Sequence, residues 1–201
     1  MNYQKKTLFC LESLQEKPIC GIDEAGRGPI AGPLVMAGVI LYKKIANLND
    51  SKALNSKNRE ILYQKIIQNS KYFLYEANAT KIDTLGVSKV ISQGLEAIKE
   101  YFGKDVNFIF DGNSTFGVSN INTIIKADQK IPEVMAASIL AKVHRDKIMK
   151  EFAKKYPNYG FEKHKGYATK EHIQKIATFG YTPIHRKSFK LKSLQKRPTL
   201  F

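Results

Sequence analysis

Four acidic residues follow apolar runs in the sequence: Asp23, Glu24, Asp111 and Asp128. Their carboxylates are the type of side chain that binds metal ions in the hydrolysis of phosphodiesters. Each is expected at the carboxyl end of a strand, next to Gly or Ala, and in α/β sheets such ends converge on one crevice. Because converging carboxylates repel one another, they need a compensating charge, and Mg²⁺ or Mn²⁺ is the cation that oxygen ligands favour. Two such cations about 4 Å apart are the usual apparatus of phosphodiester hydrolysis.

A glycine-rich loop follows the first two of these carboxylates. Its glycines, Gly26, Gly28 and Gly32, miss the dinucleotide-binding spacing by one residue, and an apolar strand rather than a helix comes next. Nucleotide-cofactor binding is therefore not expected. Because glycine has no side chain, the backbone N–H and C=O groups of such a loop can approach a sugar hydroxyl closely. The loop is thus a candidate for reading a sugar beside the carboxylates.

The net charge of +15 is concentrated in the last third of the chain. Residues 1–129 hold 16 basic and 13 acidic side chains, whereas residues 130–201 hold 17 and 5. A solvated lysine-rich face is one explanation, but a surface that contacts a phosphate backbone accounts better for the uneven placement. The simpler alternative for the carboxylates, that they only end strands or form turns, does not explain their occurrence in a protein with such a surface. The histidines lack metal-site spacing and are expected to contact phosphates or to be structural: His144, His164, His172 and His185.

The composition restricts the class of protein further. The chain has 201 residues, of which 43% are apolar and 25% are charged, which excludes disordered, collagen-like and coiled-coil proteins. Two cysteines, Cys10 and Cys20, are too few for a disulfide framework, so reduced thiols in a cytoplasmic protein are expected. The longest apolar run, residues 31–42, contains glycine and proline and is too short to cross a membrane. With no signal peptide at its start, the chain is expected to be soluble, intracellular and free of membranes.

The carboxylates and the glycine loop need a sheet to position them, and the apolar pattern predicts one. Strands are expected at residues 18–22, 34–42, 72–80, 106–110 and 121–125. Helices are expected at residues 56–69, from a cap at Asp83 to about residue 102, from Pro132 to residue 156 and at residues 169–179. Three strands in succession, followed by strands alternating with helices, indicate a mixed α/β sheet whose first two strands are antiparallel. The residues after 156 are expected to cap this sheet rather than to form a second core.

Several segments of the sequence resemble the bacterial ribonuclease HII family, in the family's order. The segment that carries most of the likeness is GIDEAGRGP at residues 21–29. Further matching segments are DSKAL at 50–54, DGN at 111–113, AASILAKVHRD at 136–146, YP at 156–157, HKGY at 164–167 with the histidine at 172, and HR and SF within 185–189. The likeness covers about residues 18–189, and the combination is far more specific than any single motif.

The resemblance implies a ribonuclease H-like fold, in which helices flank a mixed five-stranded sheet and a helical cap follows at the C-terminus. Residues 1–155 would form the catalytic domain, and residues 156–201, here named the C-terminal extension, would pack on the same domain. The implied activity is that of an endonuclease that hydrolyses the RNA strand of RNA–DNA hybrids. It would also cut 5′ of single ribonucleotides embedded in duplex DNA and leave 5′-phosphate and 3′-hydroxyl ends.

The resemblance also implies the metal ligands and the cofactor. By motif match, Asp23, Glu24, Asp111 and Asp128 take the places of the family's catalytic, metal-binding carboxylates. Two divalent cations, Mn²⁺ or Mg²⁺, are the implied cofactors. Asp146 is the alternative for the fourth place, but it lies inside a predicted helix between two basic residues, which suits a structural ion pair better. Asp128 is therefore the predicted ligand.

The substrate-binding positions that the resemblance implies are Gly26, Arg27, Gly28, Lys52 and Tyr167. Residues 26–28 match the tripeptide that reads the ribose 2′-hydroxyl, and Lys52 matches a phosphate-contacting lysine. Tyr167 matches the tyrosine that stacks on the sugar at the RNA-to-DNA junction, although a buried core tyrosine is the structural alternative. Ala168 departs from the family, which commonly has proline there, so the loop around Tyr167 is expected to be less stiff.

Three other interpretations of the same sequence are weaker. Ribonuclease HIII has an extra N-terminal domain, for which the 22 residues before Asp23 leave no room. A resolvase-like or integrase-like DNA nuclease would share the carboxylates but lack the reader at residues 26–28 and Tyr167. A non-catalytic basic RNA-binding module explains the charge but not the carboxylates. Nucleic acid is therefore the expected partner. The protein is expected to be a monomer, and residues 195–201 are a candidate for binding a sliding clamp.

Overall fold

The computed structural model describes residues 17–48 and 56–190, and the structural statements below concern these residues. The strands are β1 (Ile19–Ala25), β2 (Leu34–Leu41), β3 (Ser70–Ala77), β4 (Asn107–Asp111) and β5 (Asn122–Ile124). The α-helices are α1 (Ser56–Gln68), α2 (Ala79–Leu85), α3 (Val87–Phe102), α4 (Pro132–Lys155), α5 (Phe161–His164) and α6 (Lys170–Phe179). Single 3₁₀ turns precede α4 at Ala127–Gln129 and α5 at Pro157–Tyr159.

The strands form one mixed sheet in the order β3-β2-β1-β4-β5. The pairs β1–β2 and β2–β3 are antiparallel, whereas β1–β4 and β4–β5 are parallel. The predicted mixed five-stranded sheet and its antiparallel first pair are confirmed. Because β1, β4 and β5 run in the same direction, their carboxyl ends lie at one edge of the sheet. Ile22 pairs with Phe110, so Asp23 and Asp111 occupy corresponding places at that edge.

Helices cover both faces of the sheet. Alternate residues of β1 and β2 pack against α3 on one face, namely Cys20, Ile22, Leu34 and Met36. The intervening residues of β2 pack against α1 and α4 on the other face, namely Val35, Ala37 and Val39. Successive strand side chains point to opposite faces, so a strand that is covered on both sides reads as a continuous apolar run. This burial makes β1 a rigid platform for the carboxylates at its end.

The helix that was expected to start at a cap on Asp83 is two helices, so that prediction is wrong. Asn78 caps α2, because its side chain accepts a hydrogen bond from Lys81 N at 2.8 Å. Gly86, with φ 76°, then separates α2 from α3. Asp83 lies inside α2 and accepts hydrogen bonds from the backbone N–H groups of Lys187 and Ser188. A side chain that bonds a segment more than a hundred residues away leaves no local trace in the sequence.

The first part of the C-terminal extension packs on the loop between β1 and β2. One apolar cluster joins Ile30 and Ala31 of this loop to α4 and to the extension, with Met149, Tyr159, Phe161, Ile176 and Ile184. Backbone hydrogen bonds reinforce the contact: Gly32 N donates to Ile184 O, and Arg186 N donates to Ile30 O, each at 2.8 Å. The glycine loop therefore contacts both α4 and the C-terminal extension. None of the helices in the described ranges has the length and apolar character needed to span a bilayer.

Candidate active site

Three of the four predicted carboxylates meet at the edge where the parallel strands end. Asp23, Asp111 and Asp128 each offer one carboxylate oxygen, and these oxygens lie within 4.8 Å of one another. Asp23 is on β1 and Asp111 ends β4, which pair in parallel. Asp128 lies in the 3₁₀ turn that follows β5. We refer to these three residues as the carboxylate group.

A hydrogen bond ties the third carboxylate to the second. The carboxylate of Asp111 accepts from Ala127 N at 3.0 Å, and Ala127 begins the turn that contains Asp128. Lys126, with φ 58°, is in the left-handed region and reverses the chain after β5. The short strand β5, the left-handed conformation of Lys126 and the hydrogen bond to Asp111 together place Asp128 at the sheet edge.

Asp23 is the most perturbed member of the carboxylate group. Its pKa is raised to about 8, first by burial and then by the negative charges of Glu24 and Asp111, against the opposing effect of a hydrogen bond from Ser138 on α4. A second hydrogen bond comes from Glu24 N, 2.7 Å from Asp23 Oδ1. A carboxyl group that is desolvated beside other carboxylates resists ionisation until a cation compensates it.

Glu24 lies next to the carboxylate group and not within it. Its Oε1 is 3.1 Å from an Arg27 guanidinium nitrogen, and its Oε2 is buried without a hydrogen-bond partner in the described part of the chain. Burial raises the pKa of Glu24, although the charge of Arg27 opposes the shift. Buried acceptors without a partner are rare in folded proteins and call for a missing donor or ion.

These surroundings fit a divalent cation. The carboxylate group supplies oxygen ligands only, which is the donor set that Mg²⁺ and Mn²⁺ favour. Burial and then the charges of Glu24 and Asp111 raise the pKa of Asp23, and Glu24 Oε2 lacks a partner in the described ranges, so this edge holds an uncompensated excess of negative charge. A cation held by Asp23, Asp111 and Asp128, with Glu24 beside them, would remove that excess.

Asp146, the alternative for the fourth carboxylate, is not part of the carboxylate group. It lies on α4, and its Oδ1 is 2.7 Å from Lys142 Nζ one turn earlier. The expected ion pair is therefore present, although its partner is Lys142 rather than either of the adjacent basic residues. The structure thus brings Asp128, and not Asp146, to the sheet edge.

The residues of the predicted substrate reader line a cleft next to the carboxylates. The cleft has a volume of about 290 Å³, and its lining includes Glu24, residues 26–28, Ser138, Lys142 and Tyr167. Tyr167 is 50% exposed, so the alternative of a core tyrosine is excluded. Arg27 reaches back from the loop, pairs with Glu24 and stacks over the Phe116 ring at 5.3 Å from its centroid.

The backbone of the glycine loop is accessible where it faces the cleft. A Cβ added at Gly28 would meet no atom within 4 Å, so this glycine borders open space. Gly26 differs, because it has φ 95° and a side chain there would run into Arg145 and Pro33 O. Gly26 is therefore required by the fold, whereas Gly28 leaves room for something outside the chain.

Two buried arginines, neither of which was predicted as a site residue, fix this loop. Arg186 donates to three loop carbonyls: Gly26 O at 2.6 Å, Gly32 O at 3.0 Å and Arg27 O at 3.1 Å. Burial, and then the nearby charge of Arg145, lowers the pKa of Arg186 to about 9. Arginine suits this role because its fork presents several donors in a fixed geometry.

Arg145 joins the same loop to the segment that carries Tyr167. It donates to Pro33 O at 2.9 Å, Ala31 O at 3.2 Å and Lys165 O at 3.0 Å. Both arginines were counted with the basic surface of residues 130–201, yet each is 1% exposed and bonds backbone carbonyls. Basic residues of the last third of the chain were expected to contact phosphate, and that expectation is wrong for Arg145 and Arg186.

The histidines are structural, so the alternative that they contact phosphates is wrong for those of the C-terminal extension. His164, His172 and His185 are 9% exposed or less, and their rings pack around Phe161. His144 pairs with Glu76 on β3. Lys52 and residues 195–201 lie outside the described residues, so their roles stay predictions.

Comparison with known proteins agrees with this geometry. A family model described as ribonuclease HII matches residues 20–192. A ribonuclease HII from Sulfurovum sp. (strain NBC37-1) is 54% identical over 187 residues, which are 93% of this chain and 98% of that protein. A ribonuclease HII from Campylobacter hominis is 56% identical over 178 residues, or 88% of this chain and 96% of that protein.

Two solved structures share the fold over most of both chains. The PCNA:RNase HII complex from Archaeoglobus fulgidus contains a chain 25% identical to this one, with a TM-score of 0.73 over 87% of this chain and 96% of that one. The ribonuclease H2 of Pyrococcus horikoshii OT3 is 26% identical, with a TM-score of 0.72 over 86% and 93%. The chain therefore belongs to the ribonuclease HII family and is a type 2 ribonuclease H, an endoribonuclease that depends on divalent metal.

Proposed function

We propose that Asp23, Glu24, Asp111 and Asp128 are the catalytic carboxylates and that they hold two divalent cations, Mg²⁺ or Mn²⁺. The observation that carries the proposal is the convergence of three carboxylates beside a buried Glu24 oxygen that has no partner in the described ranges. When bound, such cations lower the pKa of water and stabilise charge on the phosphodiester oxygens. Crowded, desolvated carboxylates favour binding because a cation neutralises the charges that burial penalises.

The chain's own residues orient these carboxylates before any ligand arrives. Asp23 is held by Ser138 and by its neighbour's backbone N–H, and Asp111 is held by Ala127 N. The donors to Asp23 and Asp111 thus come from three separate elements: α4, β1 and the turn after β5. Preorganised ligands of this kind keep the reacting groups within the tolerance that catalysis requires.

We propose that substrate choice resides in two elements that line the same cleft. Residues 26–28 would read the ribose 2′-hydroxyl through their backbone, since only RNA offers that group. Tyr167 would stack on the following sugar when that sugar is a deoxyribose, and Lys52 would contact a phosphate. The cleft, the half-exposed Tyr167 and the open space at Gly28 support this assignment.

A DNA duplex that contains one ribonucleotide tests the proposed function directly. Cleavage is expected 5′ of the ribonucleotide, with 5′-phosphate and 3′-hydroxyl ends, and it should stop when a chelator removes the divalent metal. Mapping both ends of the labelled products on a sequencing gel gives the answer. Equal cleavage of an all-DNA duplex would instead indicate a general DNA nuclease, and binding without cleavage would indicate a non-catalytic module.

Gly28→Ala is expected to lower cleavage of ribonucleotide-containing substrates by at least about tenfold, because small displacements of a bound substrate are costly. The added methyl group meets no atom of the protein, so the variant should fold with unchanged stability. Steady-state cleavage rates and thermal unfolding measure the two effects separately. Wild-type cleavage by this variant would show that the sugar does not approach the loop backbone here.

We also propose the phosphate contacts, the protein partner and the domain organisation of the chain. Exposed lysines of the C-terminal extension, such as Lys163 and Lys170, are the proposed phosphate contacts. Because a relative was solved as a PCNA:RNase HII complex, a clamp is the candidate partner of residues 195–201. We further propose a cytoplasmic monomer in which residues 1–155 form the catalytic domain and residues 156–201 form an extension of it.

A further inference from the structure

Two histidines of the C-terminal extension form a hydrogen-bonded chain that ends on the backbone of Tyr167. The chain begins at Thr182, whose backbone N lies 2.9 Å and whose hydroxyl Oγ1 lies 2.8 Å from Nδ1 of His185. The Nε2 atoms of His185 and His172 are 3.0 Å apart. Nδ1 of His172 then lies 2.8 Å from the carbonyl oxygen of Tyr167. His172 is fully buried and His185 is 2% exposed, so water does not compete for these bonds.

The backbone N–H at the start fixes the direction of every bond in the chain. Since Thr182 N can only donate, Nδ1 of His185 is unprotonated and its proton is on Nε2. That proton is donated to Nε2 of His172, whose own proton must therefore be on Nδ1. His172 thus donates its Nδ1–H to the carbonyl of Tyr167. A positive charge on either ring would break this order, and burial lowers the pKa of both to about 4.

The hydrogen bond from His172 is one of several that fix the backbone at Tyr167. Tyr167 N donates to His164 O, and Thr169 N donates to Tyr167 O, each at 2.9 Å. Ala168, between them, cannot restrict the backbone as a proline would. The Tyr167 ring itself is half exposed and lines the cleft. The direction of that ring therefore depends on what its backbone is bonded to.

We propose that His172, oriented by His185, is a positioning residue that sets the direction in which Tyr167 enters the cleft. The inference rests on the proposed role of Tyr167 at the RNA-to-DNA junction. Because the hydrogen bond from His172 Nδ1 goes to the backbone carbonyl of Tyr167, its loss should affect the substrates that need the tyrosine. Junction recognition by the catalytic domain would then depend on α6, which lies in the C-terminal extension.

Two substitutions of one residue separate positioning from stability. In His172→Asn the side-chain amide nitrogen takes the place of Nδ1 and can still donate to Tyr167 O. In His172→Gln the amide takes the place of Nε2 and meets His185 instead. Both variants are neutral and lose the ring. The readout is the ratio of kcat/KM on a duplex with one ribonucleotide to kcat/KM on a continuous RNA–DNA hybrid.

We expect His172→Gln to lower this ratio by about tenfold, the effect of one hydrogen bond, and His172→Asn to restore most of it. In the double variant with Tyr167→Ala, His172→Gln should lower the ratio no further than Tyr167→Ala does alone. Equal ratios for the Asn and Gln variants, or additive effects, would overturn the inference. An unchanged ratio in Tyr167→Ala itself would instead overturn the proposed role of the tyrosine.

A measurement on the unmodified protein covers the case in which these variants do not fold. Ring ¹⁵N chemical shifts distinguish the Nδ1–H from the Nε2–H form of a neutral histidine. At neutral pH we expect the Nδ1–H form for His172 and the Nε2–H form for His185. An Nε2–H form of neutral His172 would remove the donor to Tyr167 and with it the inference.

Discussion

Asp111→Asn is expected to reduce cleavage of an RNA–DNA hybrid by about 10³-fold or more, which corresponds to several kcal/mol of lost charge stabilisation in the transition state. Asparagine keeps the shape of the side chain and its Oδ1, so the hydrogen bond from Ala127 N can persist. What it removes is one negative charge from the carboxylate group. Single-turnover cleavage at saturating Mg²⁺ or Mn²⁺ measures this loss without a contribution from product release.

Asp146→Asn is the matched control, because it makes the same substitution in a carboxylate that pairs with Lys142 outside the carboxylate group. Cleavage by this control should stay within a few-fold of the wild type, since asparagine keeps an oxygen that can accept from Lys142 Nζ and the carboxylate group is unchanged. Asp128→Asn should behave like Asp111→Asn. Near-wild-type cleavage by Asp111→Asn, or a larger loss in Asp146→Asn than in Asp128→Asn, would contradict the assignment of the ligands.

Thermal unfolding of the metal-free proteins separates a lost charge from a lost fold. Mutual repulsion and burial penalise ionisation at this edge, as the raised pKa of Asp23 shows. Removing one charge should therefore leave the melting temperature of the metal-free Asp111→Asn protein equal to or above that of the wild type. Such a variant is folded and inactive for electrostatic reasons.

The parts of the fold that were predicted from sequence are those with a local cause. Apolar runs of strand length predicted β1, β2 and β4, of which the runs in β1 and β4 are followed by Asp, and the helical spacing of Val90, Leu95 and Ile98 predicted α3. The carboxylates were identifiable because strand ends and turn residues mark them. Their convergence also followed from the sequence, since parallel strands bring like ends to one edge.

The contacts by which distant segments hold the glycine loop could not be predicted from the sequence. Arg145 and Arg186 lie in segments that match the family, but nothing in those segments indicates that they are buried and bond carbonyls of the loop between β1 and β2. The choice between solvent and a buried carbonyl depends on tertiary packing, for which no periodicity exists. The histidines of the extension were ambiguous for the same reason.

Tyr167→Ala is expected to lower cleavage of a duplex with one embedded ribonucleotide by about 10²-fold, and that of a continuous RNA–DNA hybrid far less. A single ribonucleotide is followed by a deoxyribose, against which an aromatic ring can lie because no 2′-hydroxyl intervenes, and a 10²-fold loss corresponds to about 2.7 kcal/mol. In a continuous hybrid the next sugar is a ribose, so the ring contributes little there. Parallel kcat/KM values on the two substrates give the comparison.

Tyr42→Ala provides the matched control, since Tyr42 is 70% exposed and is absent from the lining of the cleft. Both variants remove an exposed ring, so both should leave thermal stability nearly unchanged, and only Tyr167→Ala should alter substrate choice. An equal loss on both substrates would mean that Tyr167 supports cleavage in general. The ring would then stabilise a state common to both substrates, and recognition of the junction would have to come from residues 26–28 alone.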